Sequence, residues 1–160
     1  MKKLTRYLSV MCVVLVGCTA VNLGARSLGQ SRAAARNPFF AYVDVLPGQP
    51  KSVAIARSFV CPAQIYDTQD EHCDFRPKSG VFSHVAVDIV DGTISYGSFT
   101  VRNKTLRVGD LVLLWGMPDI EEHGFVVVLR WHHIDTIAMA TSSAGKFSLM
   151  LGVNRVFISA

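Results

Sequence analysis

Several short stretches of this sequence carry side chains that could do chemistry. Ser143-Ala144-Gly145-Lys146 spells S-x-x-K, in which a lysine one helical turn after a serine can help its hydroxyl ionise. Here the stretch lies among Ser, Gly and Ala between two expected strands, and no S-D-N or K-T-G follows, so a turn is expected and no nucleophile. His132, His133 and Asp135 offer metal donors, but adjacent histidines point in different directions and would need ligands from elsewhere. Asp119, Glu121, Glu122 and His123 gather ionisable groups after Pro118. They could hold a cation or small ligand, or serve a hydrolase. Their spacing is not that of an EF-hand, and a solvated loop is the plainer expectation. Asp70, Glu71, His72 and Asp74 read the same way, within an acidic loop over residues 67–74. On a strand, His84 and Asp88 share one face and Ser83 points to the other, so these three cannot form a triad.

The cysteines say more. Cys18 closes Leu15-Val16-Gly17-Cys18, after Lys2, Lys3, Arg6 and an apolar run over residues 8–16. That run is shorter than the ~20 residues a membrane-crossing helix needs. The pattern resembles the lipobox of bacterial lipoproteins. The resemblance implies a diacylglyceryl thioether on Cys18, cleavage before it, palmitate and attachment to the extracytoplasmic face of a membrane. Ordinary secretion and an uncleaved anchor are the alternatives. Cys12 falls within the same segment, leaving Cys61 and Cys73 beyond it. In an oxidising compartment such a pair is expected to form a disulfide, contributing roughly 3 kcal/mol in the chain-entropy model. A metal site is not expected, because the spacing is not C-x-x-C.

The pI of about 9.0 would suggest a nucleic-acid partner, but the position of the charges excludes it. Six of the 16 Lys and Arg precede Asn37, and ten remain against all 12 acidic residues. The remainder is mildly acidic and carries no basic stripe.

These groups must be positioned by a small domain. Residues 1–18 read as signal and lipobox, 19–37 as a tether rich in Ala, Gly, Ser and Arg, and 38–160 as a single domain. Pro50 fits the first position of a helix over 51–59, and residues 59–61 read as a short strand. Residues 82–90 alternate, with Phe82, His84, Ala86, Asp88 and Val90 expected on one face. Asp91-Gly92 is a strong hairpin signal, and 93–101 returns as the partner strand. Gly109-Asp110 opens a second helix ending near Trp115-Gly116, with Leu111, Leu114 and Trp115 toward the core. Residues 125–131, 136–141, 147–151 and 153–158 read as further strands.

Two stretches echo each other. Val45-Leu46-Pro47-Gly48 and Leu106-Arg107-Val108-Gly109 each lead into a short helix and then strands. Gly109-Asp110-Leu111 and Trp115-Gly116-Met117-Pro118-Asp119 resemble the helix start and the G-x-P helix end of BamE-type (SmpA/OmlA) lipoproteins and of the β-lactamase-inhibitory-protein fold. The resemblance implies an α+β fold of tandem helix-plus-hairpin units, a scaffold role and no catalytic residues to carry over. The expected function is a non-enzymatic binding or structural module of the cell envelope. It would be tethered to a membrane through Cys18 and would use exposed sheet faces or edges to hold a protein partner, without a cofactor.

Overall fold

A computed structural model describes residues 37–62 and 70–160. Cys18 and the signal and tether segments lie outside them, apart from Asn37. The chain divides into two units, Met1–Phe40 and Ala41–Ala160, and the second contains all the described strands. The architecture is α+β: one seven-stranded antiparallel sheet with a few short helices. No described helix is long and apolar enough to cross a membrane.

The elements run α1 (Lys51–Ala56), β1 (Asp70–Phe75), β2 (Phe82–Val90), β3 (Thr93–Val101), α2 (Val108–Trp115), β4 (Asp119–His123), β5 (Val126–Trp131), β6 (Thr136–Thr141) and β7 (Val153–Ser159). Two 3₁₀ turns, Phe40–Val45 and His132–Ile134, complete them. The spatial order β1-β2-β3-β7-β6-β5-β4 makes two meanders, β1 to β3 and β4 to β7, joined where β7 pairs with β3.

Local chemistry accounts for the turns. Asp91 (φ 49°) and Gly92 (φ 75°) both take positive φ, as the tight β2–β3 hairpin requires. Pro50 stands just before α1 with extended backbone (φ −72°, ψ 149°), one place earlier than expected. In α2 the Asp110 carboxylate accepts the Arg107 backbone N–H at 2.9 Å, holding the first turn, and Gly116 (φ 81°) ends the helix.

One sheet face makes the core. Along it lie Val85, Val87 and Ile89 of β2, Phe99 of β3, Val127, Leu129 and Trp131 of β5, and Val156 of β7, all buried. Tyr42 stands edge-on to Phe82 (5.6 Å) and Phe99 (5.8 Å). Val108 and Leu111 bring α2 into the core.

Several expectations need correction. Phe82 belongs to the core face, not with His84, because the β2–β3 register shifts between them; the extra residue, Ser83, turns Phe82 inward. The second half of the acidic loop over 67–74 is strand β1, and Asp119–His123 is strand β4 rather than a loop. Residues 59–61 contribute only an isolated bridge, Val60 to Asp74. Residues 147–151 form no strand: the Phe147 N–H is used by the Glu122 carboxylate, and the Leu149 carbonyl accepts the N–H of Gly109. Trp115 is half-buried, not a core residue; it packs edge-on against Trp131 (5.3 Å, 73°), which is 1% exposed and fills that place.

Candidate functional site

Strand alternation sends every second residue away from the core, to a second sheet face. Near the edges that face is polar. At its centre it carries Tyr96, Phe157, Ile137, Met139 and Val128, all half-buried. They line a concavity of about 320 Å³ that also takes in Arg130. Tyr96 and Phe157 stack with centroids 5.8 Å apart and planes 27° apart, and the Arg155 guanidinium lies over the Phe157 ring at 5.8 Å. Register makes this patch. Arg130 stands across from Ile137, which stands across from Phe157, while Val128 is level with Met139 and Met139 with Arg155. No sequence segment holds more than two of these residues on one face, so linear periodicity could not assemble the patch.

The rim is charged. Glu121 of β4 accepts a hydrogen bond from Arg130 Nε at 2.8 Å. That bond, with a further one from His123, holds the Glu121 carboxyl below its usual range. Asp135 and Ser159 close one end, where Asp135 takes left-handed backbone (φ 44°) and its carbonyl accepts the Ser159 N–H at 3.0 Å. Burial raises the Tyr96 phenol above its ordinary value; the Asp88 carboxylate acts in the same direction and Arg155 against it. Such a face offers an apolar, aromatic floor with cationic and anionic ends. That suits recognition of an amphipathic group more than bond-making.

The residues singled out by type are distributed otherwise. Glu121 and His123 lie on this outer face of β4, while Glu122 turns the other way and bonds Lys146 Nζ at 3.2 Å and the Phe147 N–H at 2.7 Å. The 119–123 stretch therefore does not converge on one point. Ser143 is exposed, and Lys146 instead uses its backbone: its N–H donates to Ser142 Oγ, and its carbonyl accepts from the same hydroxyl. His132 faces Asp119 at 3.2 Å on an open surface, both side chains 75% exposed, and His133 is exposed beside it. Ser83 donates its hydroxyl to the Thr100 carbonyl.

The structure pairs Cys61 with Cys73 in a disulfide, twelve residues apart in the chain. Cys73 is fully buried on the core face of β1, so the bridge fixes the segment before the sheet to its edge strand.

One arrangement escaped the sequence reading. His72 and Asp74 of β1 meet His84 and Asp88 of β2 on the outer face: His72 Nδ1 is 2.6 Å from Asp88 Oδ1, and His84 Nε2 is 2.5 Å from Asp74 Oδ1. The alternation that puts His84 and Asp88 on one face carries part of the signal, but pairing them with β1 needs a strand where the acidic run suggests a loop. Among the described residues no group of three or more His, Cys, Asp or Glu is arranged to hold a metal ion. No protein-family model matches the chain, and no curated protein or solved structure matches it.

Proposed function

We propose that this chain is a lipid-anchored binding module of a bacterial cell envelope, held to the extracytoplasmic face of a membrane through Cys18, and that it acts without catalysis. The partner is a protein, seated on the outer sheet face. The observation that carries this reading is the concave aromatic and aliphatic patch of Tyr96, Phe157, Ile137, Met139 and Val128 on a sheet face that none of the described helices covers. Apolar side chains gathered on a solvent-facing surface and rimmed by charge mark interaction sites more often than isolated exposed ones do. The tandem reading takes its support from the order helix, meander, helix, meander. The disulfide supports export, since such bridges persist in oxidising compartments.

The test places a photocrosslinking amino acid at Met139 in the full, membrane-attached chain, with a control at Val127 on the core face. A single partner adduct at Met139, absent at Val127, is expected, and Phe157→Lys should remove it. Absence of any adduct at Met139 under conditions where the protein is folded and membrane-bound would overturn the reading. The anchor is checked separately: a fatty-acid probe should label the wild type and not Cys18→Ser, and equal labelling of the two would exclude lipidation at that position.

A further inference from the structure

The outer face of the β1–β2 pair carries a file of alternating charge, Asp88, His72, Asp74, His84. His72 stands directly across from Asp88 in the ladder. Its Nδ1 lies 2.6 Å from Asp88 Oδ1 and its Nε2 lies 3.5 Å from Asp74 Oδ1. The same Asp74 oxygen is 2.5 Å from His84 Nε2. Two of the three links cross from β1 to β2, and the third runs along β1.

His72 is the centre of this file because both of its ring nitrogens face carboxylate oxygens. A neutral imidazole has one N–H and one lone pair, so it can donate to only one of its two neighbours and must turn a lone pair on the other. The imidazolium has two N–H groups and satisfies both. The site is open enough to exchange protons with solvent, the His72 side chain being 55% exposed. β1 itself is an edge strand. β2 holds one side of it, and on the other side Val60 forms an isolated bridge to Asp74. On its core face it is held by the Cys61–Cys73 bridge and by the ion pair of Glu71 with Lys51 of α1.

We propose that His72 is a proton-operated latch on the edge strand: protonated, it ties Asp88 of β2 to Asp74 of β1, and on losing its proton it releases one of the two. The latch governs how firmly β1 stays in the sheet, independently of what the outer face binds.

The surroundings favour the charged form. The hydrogen bond to Asp88 raises the His72 pKa above its ordinary 6.5, partial burial opposes this, and the charges of Asp74 and Asp88 reinforce it. The other groups facing the file are Asp70 on β1, and Tyr96 and Thr100 on β3, opposite Asp88 and His84 respectively; Arg155 of β7 acts on Tyr96 from beyond. A folded pKa above the unfolded one means that the latch contributes fully below pH 6.5 and fades as the pH rises through the folded value.

The test uses the full chain. Imidazole NMR should place the His72 midpoint above 6.5, and Asp88→Asn should bring it down. Amide exchange of Asp70–Phe75, corrected for intrinsic rates, is compared at about pH 5.5 and about pH 8, either side of an ordinary histidine. Protection of these amides should fall roughly two- to fivefold toward the higher pH, the range of one exposed charged hydrogen bond, and His72→Gln should abolish the dependence. A wild-type His72 midpoint at or below 6.5, or the same pH dependence in His72→Gln, would overturn the proposal.

Discussion

The indole N–H of Trp131 donates to the carbonyl of Gly116 at 2.8 Å, tying the last core residue of β5 to the residue that ends α2. Trp131 does two jobs at once. Its ring fills the core beneath Trp115, and its one polar atom satisfies a carbonyl left over at the helix end.

Truncating it should therefore be severe. Trp131→Ala is expected to cost about 3–5 kcal/mol, while Trp115→Ala, half-buried, should cost about 1–2 kcal/mol. Trp131→Phe keeps most of the packing but leaves the Gly116 carbonyl without its donor, for an expected loss of about 1–3 kcal/mol. Urea denaturation monitored by far-ultraviolet circular dichroism measures all three. A larger loss for Trp115→Ala than for Trp131→Ala would contradict the packing described.

Breaking the Cys61–Cys73 bridge should lower stability by about 2–4 kcal/mol in Cys61→Ser, with loss concentrated at the β1 edge. Non-reducing electrophoresis should show a faster band that reduction slows. Mass spectrometry finding both thiols free in protein taken from its native compartment would contradict the bridge.

Glu122 gives a pH prediction. The Phe147 N–H, and after it Lys146, hold its carboxyl below the ordinary 4.5. Because the folded value is depressed, the group's contribution is complete above pH 4.5 and is lost as the pH falls through the folded value. Glu122→Gln should flatten that part of the acid-denaturation profile and loosen the 146–147 turn. Thermal melts of the two proteins between pH 3 and pH 6 check this, and superimposable acid limbs would exclude it.

Met139→Lys, on the outer face, should change stability by no more than about 0.5 kcal/mol, because the side chain reaches solvent. The same substitution should weaken partner capture in the membrane-attached chain. Melting curves and crosslinking yield, measured side by side, separate a binding residue from a structural one.

What the sequence disclosed follows from how local each signal is. Asp91-Gly92 is legible because two adjacent positive-φ positions need little beyond their own side chains. Leu111 is legible because helical spacing points it inward. β1 and β4 were hidden because they are the two edges of the sheet. Edge strands are commonly charged to discourage pairing with other chains, and Asp70-Glu71-His72 and Glu121-Glu122-His123 therefore look like loops. Periodicity could not choose between Trp115 and Trp131, which face each other across α2 and β5. The apolar patch and the His72 file both depend on which strand lies beside which. That information resides in the β3–β7–β6–β5 and β1–β2 pairings and in no short window.

The β3–β7 pairing has a consequence for how the molecule comes into being. Tyr96–Thr100 must wait for Arg155–Ser159, so the seam between the two meanders closes only after β4, β5 and β6 have been made. Until then the β1–β3 half is a sheet with a bare strand on its inner flank, open to mispairing. A chain that begins to fold as it is made would spend the synthesis of β4 to β6 in that state. Removing β7 should consequently yield insoluble material instead of a smaller folded domain, and a folding helper would have most to do just before β7 arrives.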